Sequence, residues 1–325
     1  MRAVELSGYE GIKSLRLVEI ERPTPTANEV LIEVKAAGIN YAELELSKGQ
    51  YYIPKQAPFI MGFQASGVVT EVGPLVTNFK KGDRVTSIVK SGGYAEYAVA
   101  DANALIPIPV GISFAEASTI PVQGLSAYAL LRFAAKPQVS ENVLIQSAGG
   151  GVGIYLVQLA KIMGVKTVIA LAGGQEKLDL ARSLGADFAF NYQERDWVER
   201  VKTATDGNGV DIVLEAASGK VGEESFKLMA PFGRMVIFGA RNVHDTFSPE
   251  KISQLIYKNQ TLIGFNIPSL QPRQIAECVP ELLELISQGK LKLFANTAFA
   301  LDNVSAAFEA IGNRQTIGTV VLVPN

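Results

Sequence analysis

NVLIQSAGGGVGIYLVQLAKIMG, residues 142–164, carries an apolar run of strand length into the cluster Ala148-Gly149-Gly150-Gly151-Val152-Gly153, and a segment of helical spacing follows at once. In a dinucleotide-binding turn, small residues permit a tight reversal. A middle glycine lets the backbone approach the pyrophosphate, and a last one lets helix and strand pack closely. Those places fall on Ala148, Gly150 and Gly153, with Gly151 and Val152 between them. The helix N-terminus then presents backbone N–H groups and a partial positive charge to phosphate. A glycine pattern alone is weak evidence; the strand before and the helix after give it weight.

Outward from this stretch the same alternation continues. KTVIALA, ADFAFNY, VDIVLEAA and RMVIFGA read as buried strands, separated by the helix-like KLDLARSLG and ESFKLMAPFG. Such alternation predicts a doubly wound parallel sheet of Rossmann type. From residue 1 to about 120 the pattern differs: VLIEVKAAGI, ASGVVTEVG, DRVTSI and YAEYAVA are short β-type runs broken by turns such as KKGDRV. The expected fold is α/β, with a β domain over residues 1–121, a Rossmann domain over 122–267, and a segment 268–325 that rejoins the first domain.

The chain has 325 residues, 48% hydrophobic and 19% charged, which suits two ordinary globular cores. A net charge of −2 without long blocks of either sign gives no footprint for nucleic acid or an anionic membrane. The opening MRAVELSGYEGIKSLRLVEIERP is too regularly charged for a signal peptide or membrane span, so a cytoplasmic location is expected. One cysteine, Cys278, and one histidine, His244, preclude a Cys/His zinc site and give no basis for a Ser-His-Asp triad. Cys278 reads as a packed apolar position and His244 as a solvated loop residue.

An NAD site places Asp or Glu at the end of the second strand, about 20 residues on, to bond the ribose hydroxyls. Here that region reads Ala170-Leu171-Ala172-Gly173-Gly174-Gln175-Glu176-Lys177, with no acid at the strand end. Gly173 and Gly174 leave room for a phosphate, and Lys177 supplies a cation for the near-dianionic 2′-phosphate of NADPH. Glu176 is compatible with this only if it turns to solvent.

Taken together, AAGINYAEL, GQYY, IMGFQASGVVTEVGPLV, KKGDRV, GGYAEYAV, SAGGGVG, GADFAFNY, FGRMVIFGA and TIGTVVLVP resemble the zinc-free quinone oxidoreductase branch of the medium-chain dehydrogenase/reductase superfamily. The resemblance spans nearly the whole chain. It implies a GroES-like β domain joined to a Rossmann domain, an active site between them, and a homodimer paired through the strand TLIGFNI. By motif it implies that Lys177, Tyr192 and Arg314 hold the 2′-phosphate. Asn40 and Tyr41 match an Asn-aromatic pair near nicotinamide and substrate, and Tyr51, with Tyr52 beside it, borders the substrate. The family has Asp where this chain has Glu43, whose role is therefore open.

The expected activity is NADPH-dependent, zinc-independent hydride transfer to a C=C–C=O substrate: a quinone, an enone or an enoyl thioester. Such a substrate needs hydrogen bonds at its carbonyl oxygen rather than a Lewis acid, and Tyr51 and Asn40 are the candidate catalytic groups. Two alternatives stand beside this. One is an enoyl-acyl carrier protein reductase of a polyketide synthase, which is similar in AAGINY and GQYY but often has Lys where this chain has Ala240-Arg241. The other is a non-catalytic NADPH-binding protein.

Overall fold

The computed structural model describes residues 1–51, 56–89, 92–239 and 249–324. The chain folds as two compact units, Met1–Gly124 with Lys292–Asn325, and Leu125–Leu291.

The first unit opens with β1 (Arg2–Leu6), β2 (Leu15–Glu19) and the long β3 (Glu29–Ile39), which runs into helix α1 (Tyr41–Ser47). There follow β4 (Phe59–Ile60), β5 (Gln64–Val72), β6 (Arg84–Ile88), β7 (Tyr97–Asp101), β8 (Leu105–Pro107) and the single turn α2 (Phe114–Ala117). β3 pairs antiparallel with both β5 and β7. It is buried along most of its length, because sheet and helix cover it.

The second unit begins with a helical passage around α3 (Leu125–Ala129). Wide i→i+5 turns flank it, closed by Gly124 N–H to Thr119 O at 3.0 Å and Lys136 N–H to Leu131 O at 2.7 Å. Next come β9 (Asn142–Ile145), α4 (Gly153–Ile162), β10 (Thr167–Ala172), α5 (Gln175–Ser183), β11 (Phe188–Asn191), α6 (Trp197–Ala204), β12 (Val210–Glu215), α7 (Gly219–Lys227), β13 (Met229–Ile237), α8 (Pro249–Lys258), β14 (Thr261–Gly264) and α9 (Pro272–Ser287). The six strands are all parallel, in the order β11-β10-β9-β12-β13-β14. Counted from β9 this is the 3-2-1-4-5-6 order of a dinucleotide-binding sheet. Every residue of β9 and β10 is buried, so these strands read as continuous apolar runs rather than alternating ones. α7 ends at Lys227, earlier than ESFKLMAPFG suggests, because Met229 onward pairs with β12.

After α9 the chain returns to the first unit as β15 (Thr297–Ala300), α10 (Val304–Gly312) and β16 (Val320–Val323). β16 pairs antiparallel with the end of β3, Val320 opposite Ile39. Leu301, Val304, Phe308 and Leu322 fill the same core as Val4, Ile32 and Val69. The crossings between these compact units fall after Gly124 and Leu291. α9 packs on α3, within the second unit. Among the described residues no helix is long and apolar enough to cross a membrane.

Candidate active site

The glycine loop forms where the sheet reverses its strand order. The chain leaving β9 bonds to both neighbours there: Gln146 N–H donates to Leu214 O of β12 at 3.1 Å, and Ala148 N–H to Leu171 O of β10 at 3.0 Å. Between them Ser147 takes a left-handed φ of +51°. Gly150 N–H then closes the turn on Ser147 O at 2.8 Å. The sharp torsion thus falls one residue before Ala148, which is fully buried against the sheet. Gly151 and Val152 are half-buried and lead into α4.

Gly153 has no room for a side chain. A Cβ there would stand 2.2 Å from Ser147 O and 2.8 Å from Ala148 Cα, so a larger residue would push α4 off the turn. At Gly150 the nearest atom to such a Cβ is Ser147 O at 3.2 Å. Gly149 has a function the sequence reading missed: its Cβ would meet Lys177 Cβ at 2.6 Å and Cγ at 2.9 Å. The bare glycine lets the Lys177 stem lie directly on the loop.

The end of β10 supplies the second wall. Tyr192 N–H donates to Ala172 O at 3.2 Å. A Cβ on Gly173 would lie 2.5 Å from the Tyr192 hydroxyl oxygen, so this glycine admits the phenol against the backbone. Gly174 caps α5 in extended conformation, with open space where its Cβ would be. Glu176 is exposed and Lys177 half-buried. The carboxyl end of the sheet therefore gathers Gly149, Gly150, Gly153, Gly173, Lys177 and Tyr192, with no acid at the β10 terminus. These residues fit a phosphorylated dinucleotide: small residues for backbone approach, a helix N-terminus, a cation and a phenol.

The remaining candidates lie in the first unit. Arg314 follows α10, exposed and with a left-handed φ of +58°. Tyr41 and Tyr51 pack against one apolar core, and the Tyr51 ring lies 6.2 Å from that of Phe63. Tyr52, Ala240, Arg241 and His244 lie outside the described residues.

Asn40 caps α1, and its partner is the residue whose role the sequence left open. Glu43 is fully buried. Its Oε2 accepts from Asn40 N–H at 2.8 Å, Asn40 Nδ2 at 3.1 Å and the Tyr94 hydroxyl at 2.6 Å, while Oε1 accepts from Phe63 N–H at 2.8 Å. Burial pushes its pKa up from 4.5 to about 7, with the bonds from Tyr94, Asn40 and Phe63 opposing the rise. Burial also raises the Tyr94 hydroxyl well above its ordinary value, reinforced by the adjacent carboxylate.

A native pKa above the unfolded one means that the folded state holds this proton more tightly. Stability from Glu43 is thus greatest below pH 4.5 and falls as pH rises through about 7. Relative to wild type, E43Q should gain about 3 kcal/mol of unfolding free energy between those limits. Urea unfolding of both proteins across that range checks this, and parallel pH profiles would contradict it.

Comparison with known proteins accounts for both units. A family model for the alcohol dehydrogenase GroES-like domain matches residues 26–110, and one described as zinc-binding dehydrogenase matches residues 151–288. Quinone oxidoreductase of Rattus norvegicus is 30% identical over 96% of this chain and 94% of its own length. The chain belongs to the quinone oxidoreductase branch of the medium-chain dehydrogenase/reductase superfamily. Within that branch, Escherichia coli quinone oxidoreductase, crystallised with NADPH, superposes with a TM-score of 0.92 at 30% identity, covering 100% of both chains. The enoyl reductase CurK superposes with a TM-score of 0.89 at 29% identity, covering 100% of this chain and 99% of its own.

The zinc named in the second family description does not fit this member of the branch. It has one cysteine and one histidine, and Cys278 is buried in α9 with its thiol pushed up to about 11, chiefly by burial. Among the described residues no three His, Cys, Asp or Glu side chains gather where they could hold a metal.

Proposed function

We propose that the chain is an NADPH-dependent reductase of substrates in which a carbon–carbon double bond is conjugated to a carbonyl. The observation that carries the cofactor in this reading is the Lys177 stem on Gly149 and the Tyr192 hydroxyl on Gly173, at a strand end that lacks the acid an NAD ribose would need. When bound, NADPH supplies the hydride.

The chain's own residues bind and orient. The loop from Ala148 to Gly153, with the α4 N-terminus, holds the pyrophosphate. Gly173, Lys177 and Tyr192 hold the 2′-phosphate, with Arg314 proposed as a further cation. Tyr51 and Asn40 donate hydrogen bonds to the substrate oxygen as it gains negative charge, Tyr51 also being the proposed proton donor. Tyr41 and Tyr52 line the substrate. A homodimer is proposed through β14, which ends the strand order of the parallel sheet and leaves Thr261 and Gly264 exposed.

Stopped-flow oxidation of NADPH against quinones, enones and enoyl-pantetheine esters tests the activity. The expected result is turnover of at least one conjugated acceptor and none of its saturated counterpart. A marked preference for the pantetheine ester favours a carrier-bound enoyl thioester and an activity like that of the enoyl reductase CurK. Tight NADPH binding with no oxidation by any acceptor would overturn the reading in favour of a binding protein.

A further inference from the structure

The four groups around Glu43 are all hydrogen-bond donors: the Asn40 backbone N–H, Asn40 Nδ2, the Phe63 N–H and the Tyr94 hydroxyl. They come from separate parts of the first unit. Asn40 stands between β3 and α1, Phe63 just before β5, and Tyr94 ahead of β7. Tyr94 is itself fully buried, edge-on to Phe308 at 6.3 Å. Gly62, with φ of +101°, makes the turn before Phe63, and a Cβ there would strike Tyr94 N at 2.4 Å. An ionised carboxylate accepts from all four donors, and a proton on Oε2 would set a donor against the three gathered there.

We propose that Glu43 is the positioning residue of the substrate site, a buried carboxylate whose bonds to Asn40 fix the orientation of the Asn40 amide. This rests on the reading of Asn40 given under Proposed function and adds to it. Because a carboxylate accepts and never donates, Nδ2 must face Glu43 and Oδ1 must face away. The amide then offers its ligand the remaining Nδ2 N–H in a fixed position. Tyr94 supports this arrangement: its hydroxyl donates to the carboxylate and holds it in place.

The geometry ties Asn40 to a titration. The first short helix, Gly11–Ser14, and α10 also pack on α1 and carry Lys13 and Glu309. Burial is the main influence on the Glu43 equilibrium; the bonds that oppose it come from Tyr94, Asn40 and Phe63, and Tyr94 is the titratable one among them. Loss of the carboxylate's charge below pH about 7 weakens its hold on the Asn40 amide.

Two measurements on the full chain test this. In the first, side-chain amide NMR resonances of Asn40 are assigned by their loss in N40A. They should titrate with a midpoint near pH 7 in the wild type and not in E43Q. In the second, kcat/KM for 1,4-benzoquinone at saturating NADPH is compared among wild type, N40A, E43Q and the double variant. N40A and E43Q should each lose on the order of tenfold or more, with the double variant no worse than N40A, because residues acting as one unit are not additive. The acid limb of the wild-type profile should vanish in E43Q.

Losses that multiply, or an Asn40 resonance that does not titrate, would overturn the proposal. If N40A is impaired and E43Q keeps the wild-type rate, Glu43 alone loses its role. If N40A itself reacts like the wild type, the reading of Asn40 fails and this inference with it. Should E43Q not fold, Y94F gives the same readout, since removing one donor moves the acid limb upward; an unmoved limb counts against the proposal.

Discussion

Lys177→Glu should weaken NADPH binding on the order of 10²-fold or more while changing NADH binding by no more than about threefold. The stem of Lys177 is held against Gly149, so its ammonium is not an unrestrained surface charge. A charge-assisted hydrogen bond to a phosphate contributes about 1.5–3 kcal/mol, and reversing the charge adds repulsion against a near-dianion. NADH carries no 2′-phosphate and senses neither. Fluorescence titration of each variant with both dinucleotides checks this, and equal weakening toward both would mean that the substitution damages the loop rather than the discrimination.

The second large effect is expected at Tyr51. Removing one donor from a site that stabilises a developing oxyanion costs about 10²–10³ in kcat. Tyr51→Phe should therefore lower kcat by that order and leave the NADPH Kd nearly unchanged. The ring packs beside Phe63 on the apolar core, and Phe preserves that packing, so the fold should persist with an unchanged melting temperature. A variant with wild-type turnover would remove Tyr51 from the chemistry and leave it as a wall of the site.

The sequence made the Rossmann unit legible because its signals are local. A strand, a glycine cluster and a helix are contiguous in residues 142–164, and burial on both faces leaves β9 and β10 as unbroken apolar runs. Contacts between distant segments were harder to read. Gly149 meets Lys177, and Gly173 meets Tyr192, only once α5 and β11 have packed beside the loop. Ser147 takes the strained torsion that a reading of small residues assigns to Ala148. The packing of α9 on α3, far apart in the chain, is likewise invisible in the amphipathic pattern of α9 alone.

Glu43 marks the limit of local reading most clearly. In the sequence it is a departure from the family's Asp, in a helix of ordinary appearance. In the fold it is a buried carboxylate joined to Tyr94 and Phe63, neither of which is near it in the chain. The signal available beforehand was chemical: an acid three residues after a helix-capping Asn has a backbone N–H to accept from. Nothing in that spacing shows that the same carboxylate also gathers two distant donors.

Selection of the phosphorylated dinucleotide is proposed to rest on a cation and a phenol placed by two glycines. Titration of the wild-type protein with NADPH and NADH under one set of conditions tests it most directly. NADPH should bind at least about tenfold more tightly, a difference of about 1.4 kcal/mol or more. Equal affinity, or tighter binding of NADH, would contradict it.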